Sequence, residues 1–333
     1  MQSTWSIMTS LIPARRPVAT ALAGAALALI CAAAAVLSTA VPARAGGRLP
    51  VRYDFAAGAA ATAGFPRTPP PGADNWRCKP GPAHPYPVVL VHGTFANMDD
   101  NWQTASPVLV NHGYCVFAFN YGGVSPSSPV QGTGNIVTSA AQLATFVAKV
   151  RAATGANKVD LVGHSQGGMM PRYYIGHGGA SAVHALVALA PSNHGTTLDG
   201  IESLAAAFKA ASPAEAAVSP ACAACSQQMR NSAFLRALNE QPAAPGVRYT
   251  VIESKDDEVV TPYTSAFLPA DPDVTDITLQ DQCPADHSDH LEIASDPVAM
   301  ADMLNALDPG HRVPVPCVPV LPAVGPAGPV PAF

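Results

Sequence analysis

Six short, largely apolar runs constrain the fold of this chain more than any other feature. They are four to seven residues long, and most are rich in Val, Ile and Leu. Such runs are typical of strands buried on both faces of a parallel sheet. Helical stretches lie between them; 136–154 is the clearest, because Leu143 and Val147 fall on one helical face. Strands that alternate with helices predict an α/β fold with a doubly wound, mostly parallel sheet. The runs are 87–91, 115–119, 159–162, 183–189, 249–252 and 274–279.

The first 45 residues are typical of a secretory signal peptide. Arg15 and Arg16 precede the stretch 18–41, which contains no charged residue, and Ala-Arg-Ala at 43–45 follows as an A-x-A cleavage site. We therefore expect 1–45 to be removed and the protein to be secreted. The apolar stretch is also long enough to span a bilayer, so an uncleaved membrane anchor stays open as the alternative.

The composition excludes several classes of protein. Charged residues make up only 12% of the chain, about half the usual share, and the formal net charge is -5. Segment 1–45 holds three of the 18 basic residues and none of the 23 acidic ones, so a cleaved chain would be more acidic still. There is no basic surface for nucleic acid. The 34 prolines follow no G-X-Y period, which excludes collagen.

We interpret the remaining chain as one catalytic domain, 46–308, followed by a Pro-rich tail, 309–333, that contains eight prolines. The lead-in 46–87 is rich in Ala, Gly and Pro and predicts extended chain with little regular structure. The Ala-rich stretch 194–245 is longer than a simple crossover needs. We expect it to form a small helical cap or lid over the carboxyl edge of the sheet.

The cysteines agree with export. Six of the seven lie after the predicted cleavage site, an even number in a compartment where disulfides persist. Cys222 and Cys225 form a C-x-x-C motif, which is compatible with a redox dithiol or half a zinc site. Because no second C-x-x-C occurs, we favour a structural disulfide, either between these two or to another cysteine.

The chemistry centres on Ser165. It lies in G-H-S-Q-G at 163–167, directly after the run 159–162 and directly before an apolar helical stretch. This is the nucleophile elbow, a turn so tight that only glycine fits two residues before and after the serine. It predicts that the hydroxyl of Ser165 is held at the top of the sheet, with a helix N-terminus behind it.

An oxyanion hole is the next requirement. His-Gly-Thr at 92–94 follows the run 87–91, where a backbone N–H can turn towards a reacting carbonyl oxygen. We assign the first donor to the N–H of Thr94, with its hydroxyl as an additional donor. The second donor is expected to be the N–H of Gln166, the residue after the nucleophile.

The serine also needs a histidine base and a carboxylate to orient it, in the chain order Ser, acid, His. An acidic cluster follows the fifth run, and within it Asp257 is preferred to Asp256 as the triad acid. After the sixth run, His290 is preferred to His287 as the base, because an apolar helical stretch that can fix the loop begins directly after it.

This chemistry requires no metal and no organic cofactor. Asp271, Asp273 and Asp276 have a spacing that is compatible with a calcium site, but acids in turns are usually solvated. We predict no metal site.

Several of these motifs, in this order, resemble class 2 bacterial lipases, exported triacylglycerol lipases and esterases of the α/β-hydrolase superfamily. The resemblance covers roughly residues 75–307, and the same region is similar to fungal lipase B. The motifs are PVVLVHGT at 87–94, NYG at 120–122, residues 159–168 with MMPRYY at 169–174, APSNHGT at 190–196, DEVVTP at 257–262 and DHL at 289–291.

The resemblance implies an α/β-hydrolase core with Ser165 as nucleophile, Asp257 as triad acid and His290 as base. The likeness to fungal lipase B implies an oxyanion hole at Thr94 and Gln166. It also implies three disulfides, which pair Cys78 with Cys115, Cys283 with Cys317, and Cys222 with Cys225.

We therefore expect a secreted, monomeric serine hydrolase that cleaves triacylglycerols at a lipid–water interface. Low charge favours water-insoluble substrates, since exposed apolar patches bind lipid surfaces. A carboxylesterase or polyesterase that acts on short or soluble esters has the same triad, as does a peptidase. A non-catalytic cell-surface binding protein with this fold is the alternative from a different class.

Overall fold

The computed structural model describes residues 47–62, 64–211 and 222–331. The predicted signal peptide, 1–45, lies outside these residues. Six strands form one sheet in the order β2-β1-β3-β4-β5-β6, and every neighbouring pair is parallel. The predicted doubly wound parallel sheet is confirmed. The strands are β1 Val88–Val91, β2 Val116–Ala118, β3 Val159–His164, β4 Val183–Leu189, β5 Arg248–Glu253 and β6 Val274–Thr278.

Helices cover both faces of the sheet, which explains the continuous apolar character of the strands. In β1, Val88 and Leu90 pack among residues of α2 and α9, whereas Val89 and Val91 pack among residues of α3 and α4 on the opposite face. The helices are α1 Phe55–Thr62, α2 Ala105–Asn111, α3 Ile136–Thr154, α4 Gln166–Tyr174, α5 Leu198–Ala211, α6 Ala223–Gln228, α7 Ala233–Asn239, α8 Leu279–Gln282 and α9 Pro297–Leu307.

Helix α3 begins and ends where the sequence predicts, at Ile136 and Thr154. The side chain of Asn135 accepts hydrogen bonds from two backbone N–H groups of the first turn and so caps the helix. Gly155 ends it with a φ of 82°, a left-handed conformation that glycine adopts without steric cost. The apolar face with Leu143 and Val147 is buried against the sheet.

The prediction for the lead-in is wrong at α1. The lead-in 46–87 is rich in Pro as a whole, but its segment from Asp54 to Thr62 contains no proline. More than half of that segment is alanine, which is the strongest helix former. A carboxylate oxygen of Asp54 accepts a hydrogen bond from the N–H of Ala57 in the first turn. Phe55 is buried, and its N–H donates to the carboxylate of Glu292 at 3.0 Å.

The Pro-rich tail forms an extended segment with one small hairpin, in which β7 Val320–Leu321 pairs antiparallel with β8 Gly325–Pro326. Val320 is buried, and its carbonyl accepts a hydrogen bond from the N–H of His287. The tail therefore supports the loop between α8 and α9 that carries the predicted catalytic histidine.

Three disulfides are present, with the pairing that the resemblance implies. Cys78 bonds Cys115 and ties the lead-in to the start of β2, while Cys283 bonds Cys317 and ties the tail to α8. Cys222 and Cys225 bond each other at the start of α6. Within the described part of the chain, no helix is both long and apolar enough to cross a membrane.

Candidate active site

The turn between β3 and α4 has the geometry of the predicted nucleophile elbow. Ser165 has a φ of 56°, an uncommon value for a residue with a side chain, and it is followed at once by the first residue of α4. A Cβ atom on Gly163 would collide with the carbonyl of Gly167. One on Gly167 would collide with the carbonyls of Val91 and His92 in the neighbouring strand end. Both glycines are therefore required for the chain to pass.

Replacing Gly167 with alanine is expected to lower the melting temperature strongly, because the new methyl group would overlap backbone atoms that cannot rotate away. Gly81→Ala is the matched control, since no heavy atom lies within 4 Å of its added Cβ. Thermal unfolding of the two variants measures the difference. Equal melting temperatures would show that the elbow tolerates a side chain at this position.

The structure brings together the three residues predicted for the triad. Nε2 of His290 lies 2.9 Å from Oγ of Ser165, and Nδ1 of His290 lies 2.7 Å from Oδ2 of Asp257. All three residues are buried, with Ser165 only 3% exposed. The serine, the imidazole and the carboxylate thus form one continuous hydrogen-bonded series.

Asp257 is held as a carboxylate. Its Oδ1 accepts hydrogen bonds of 2.7 Å from the N–H groups of Val259 and Val260, while Oδ2 faces His290. Burial alone would raise the pKa of Asp257, but the imidazole and the two N–H donors outweigh it and hold the pKa below its usual value. Conversely, burial would lower the pKa of His290, but the charge of Asp257 and its hydrogen bond raise that pKa above its ordinary value.

The less favoured residues form a separate pair. Nδ1 of His287 lies 2.8 Å from Oδ2 of Asp256, a distance close to that of the buried pair. The side chains of His287 and Asp256 are 57% and 42% exposed, whereas those of His290 and Asp257 are fully buried. Only the buried pair has a hydrogen bond to Ser165.

Thr94 lies beside the serine with its side chain fixed. Its hydroxyl oxygen accepts a hydrogen bond of 2.7 Å from the side-chain amide of Gln166 and one of 2.8 Å from that of Gln228. Since both lone pairs are engaged, the hydroxyl hydrogen must point in a third direction. A Cβ atom on Gly93 would lie 3.2 Å from Cβ of Ser165, which places the backbone before Thr94 directly against the elbow.

The chain matches the model of one protein family over its parallel sheet. The family model described as lipase (class 2) matches residues 85–301, about two thirds of the chain. The chain belongs to the class 2 lipase family. The match begins just before β1 and includes the elbow, Thr94, Asp257 and His290.

Curated relatives of this class 2 lipase match over a shorter region. A triacylglycerol lipase of Pseudarthrobacter phenanthrenivorans is 43% identical over 93 residues, which are 26% of this chain and 27% of that protein. A triacylglycerol lipase of Burkholderia plantarii is 43% identical over 93 residues, 26% of this chain and 24% of that protein. The matched region thus spans about a quarter of the length of each relative.

Among solved structures, lipase B of Aspergillus fumigatus matches with a TM-score of 0.53 and 22% identity. The match covers 74% of this chain and 57% of that one. At this identity the likeness concerns the fold, and the α/β-hydrolase fold predicted for this class 2 lipase is confirmed.

Sequence reasoning missed three residues that hold the site. Gln228, in the predicted cap, fixes Thr94 as described. His164 is buried, and its Nε2 donates a 2.8 Å hydrogen bond to the backbone carbonyl of His290. Burial and the neighbouring His290 lower the pKa of His164 to about 3, so its ring is neutral and can hold that carbonyl without adding charge. Its place inside the elbow motif is the one local signal that could have indicated it.

Glu253, at the end of β5, is the third. It is fully buried, and its Oε1 accepts a hydrogen bond from the N–H of Ser254. Burial and the charge of the adjacent Asp257 raise the pKa of Glu253 well above its usual value. A protonated Glu253 adds no second negative charge beside Asp257.

No group of three or more His, Cys, Asp or Glu side chains is arranged to hold a metal ion in the described ranges. Two of the three acids whose spacing is compatible with a calcium site accept backbone hydrogen bonds. Asp271 accepts from the N–H of Asp273, and Asp276 accepts from the N–H of Leu268. The contact of Asp271 is typical of an acid in a turn, whereas Asp276 lies within β6.

Proposed function

We propose that this class 2 lipase hydrolyses carboxylic esters of lipids through a Ser165–His290–Asp257 triad and an acyl-enzyme. The observation that carries the proposal is the series of two hydrogen bonds, 2.9 Å and 2.7 Å, from the serine through the histidine to the aspartate. A serine hydroxyl is a weak nucleophile until an oriented base removes its proton. This arrangement supplies the base, and Asp257, which raises the pKa of His290, makes its imidazole a stronger proton acceptor.

In the first half-reaction, Nε2 of His290 takes the hydroxyl proton of Ser165 as its oxygen attacks the ester carbonyl carbon. The imidazolium that forms is stabilised by Asp257. His290 then gives the proton to the departing alcohol, and the acyl group remains on Ser165. Water, deprotonated by the same nitrogen, attacks the acyl-enzyme and releases the carboxylic acid.

Negative charge develops on the carbonyl oxygen in both half-reactions. We assign its stabilisation to the backbone N–H groups of Thr94 and Gln166, with the Thr94 hydroxyl as a further donor. The two amide side chains support the role of the hydroxyl, because they occupy both lone pairs of its oxygen and leave its hydrogen to donate to a substrate.

Lipid substrates are supported by the apolar side chains around the triad. Val259 and Val260 follow Asp257, Leu291 follows His290, and Phe95 follows Thr94; all four belong to one hydrophobic cluster. Apolar surroundings of this kind favour an acyl chain over a polar substrate group. The names of the two curated relatives also support triacylglycerols.

A carboxylesterase or polyesterase differs in its response to a lipid surface. Hydrolysis of tributyrin and triolein, followed across the concentration at which each forms an emulsion, separates them. A lipase is expected to become faster above that concentration. A preference for dissolved short esters would favour the esterase.

We also propose that the protein is secreted as a monomer after cleavage at 45. The three disulfides support an oxidising compartment. N-terminal sequencing of protein from the culture medium is expected to begin at Gly46, whereas an intact N-terminus in the membrane fraction would indicate an anchor. Sedimentation of the secreted protein tests the oligomeric state.

Labelling with a fluorophosphonate tests the proposed catalytic role directly. Only a serine with an activated hydroxyl reacts, so we expect stoichiometric labelling of the parent protein and none of Ser165→Ala. Failure of the folded parent protein to react would favour the non-catalytic binding protein. Hydrolysis of a peptide substrate by the parent protein, measured in a separate assay, tests the peptidase alternative.

A further inference from the structure

A pocket lies on the flank of the molecule, away from the triad. Its volume is about 260 Å³, and it is bounded by α4, α7, the start of β5 and the loop before β6. None of Ser165, Asp257 and His290 lines it. We call it the Arg172 pocket. Its lining includes Arg172, Leu238, Asn239, Tyr249, Leu268 and Val274.

Arg172 is the only basic residue that lines this pocket. Its guanidinium donates to the side-chain oxygens of Asn193 at 3.1 Å and Asn239 at 3.0 Å, both neutral acceptors. No ion pair joins Arg172 to a carboxylate among the residues that the structure describes. Burial lowers the pKa of Arg172 to about 10, so it still carries its charge at neutral pH.

A partly buried guanidinium without a carboxylate is costly, because its charge loses hydration and gains only neutral partners. The two asparagines accept from one hydrogen on each terminal nitrogen. The group has five N–H donors, so others remain available to a ligand. A guanidinium in this state is suited to binding an anion, which would supply the missing charge.

The hydroxyl of Tyr249 is a further donor at this pocket. Its oxygen accepts a 3.2 Å hydrogen bond from the N–H of Ala244. Burial raises the pKa of Tyr249, so the hydroxyl keeps its hydrogen at neutral pH. The Tyr249 ring is itself buried. The phenol can therefore donate to the same anion as Arg172.

The remaining walls are mainly apolar, with Leu238, Leu268 and Val274 joined by prolines and alanines. Asp271 is the exception: it is exposed and lines the pocket as well. The negative charge of Asp271 repels a dianion, such as phosphate, more strongly than it repels a monoanion. One cation and apolar walls thus suit a monoanion that carries a hydrocarbon chain.

We propose that the Arg172 pocket binds a monocarboxylate with a short apolar chain, whose carboxylate contacts the Arg172 guanidinium and the Tyr249 hydroxyl while its chain lies against Leu238 and Leu268. This binding site is independent of the triad, and the proposal does not rest on the proposed reaction.

Isothermal titration calorimetry with octanoate tests the proposal. The parent protein is titrated as it is, and variants at the pocket lining, which contains no triad residue, distinguish this site from an acyl chain bound near Ser165. Octanoate is expected to bind, and octanol, octylammonium and inorganic phosphate to bind at least about tenfold more weakly, since each lacks the charge or the chain that the pocket selects.

Three variants locate the site. Arg172→Gln removes the charge and is expected to weaken octanoate binding at least about tenfold. Asp271→Asn removes the repulsive carboxylate and is expected to strengthen it about two- to threefold, a gain that a purely structural role would not produce. Ala270→Trp places a large side chain on the pocket lining and keeps Arg172, and it is expected to abolish octanoate binding while leaving ester hydrolysis unchanged.

Because Arg172 bridges two asparagines, Arg172→Gln can also fail to fold. Ala270→Trp and Asp271→Asn then decide the matter. Octanoate binding that both of these variants leave unchanged would overturn the proposal, as would equal affinity for octanoate and octanol. Loss of binding in Ala270→Trp together with the gain in Asp271→Asn would support it, whatever the outcome of the labelling experiment on Ser165.

Discussion

Replacement of His290 by alanine is expected to lower kcat/KM for a soluble ester at least about 10⁴-fold, because no other described group lies within hydrogen-bonding distance of Oγ of Ser165 to take its proton. His290 is completely buried between Ser165 and Asp257, so its loss leaves a cavity that water can enter but no base. The rate with p-nitrophenyl butyrate measures the effect.

His287→Ala is the matched control. His287 makes the same kind of contact with a carboxylate, 2.8 Å from Asp256, but both side chains are exposed. Exposed pairs contribute little to stability, and activity is expected to stay within about twofold of the parent. Equal losses in both variants would mean that the loop, and not the imidazole of His290, is what the reaction requires.

These two pairs also explain why the sequence alone left the triad open. Asp256 and Asp257 are adjacent, and His287 and His290 lie in the same loop, so order along the chain cannot separate them. What separates them is the turn after β5. There the N–H groups of Val259 and Val260 bind Asp257 and fix it inward, whereas Asp256 faces solvent. That distinction depends on backbone geometry.

The fold was far easier to predict than the support of the site. A parallel strand covered on both faces must be apolar along its whole length, so it is visible in the sequence as a short apolar run. Each of the six runs corresponds to a strand. Gln228 reaches Thr94 across 134 positions, and its only local context is an Ala-rich stretch. Glu253 similarly looks like an ordinary charged residue at a strand end. Helix α1 was missed because the prolines and glycines of the lead-in as a whole concealed a nine-residue segment, 54–62, that contains no proline.

Replacement of Asp257 by asparagine is expected to lower kcat about 10⁴-fold near neutral pH, although the side chain keeps its size. The N–H groups of Val259 and Val260 both need an acceptor, which only the asparagine oxygen can supply. The amide nitrogen must then face Nδ1 of His290, where the carboxylate now lies at 2.7 Å. A donor in that place requires Nδ1 to be the acceptor, so Nε2 carries the hydrogen and cannot take the proton of Ser165.

The pH profile gives this variant a second signature. Activity requires neutral His290, so kcat/KM is lost as the pH falls through the pKa of that residue. In the parent protein Asp257 raises this pKa above its ordinary value of about 6.5, and the acidic limb is expected to begin above that pH. In Asp257→Asn the charge that opposed burial is gone, so the limb is expected to move to lower pH.

Asp256→Asn is the control, since it removes an exposed carboxylate whose partner is His287. It is expected to change neither kcat nor the position of the acidic limb. A limb that stays in place in Asp257→Asn would mean that the imidazole is charged by some other group. Glu258 is then the first to examine: one of its carboxylate oxygens accepts a 3.2 Å hydrogen bond from the N–H of His290, and its charge also raises the pKa of that histidine.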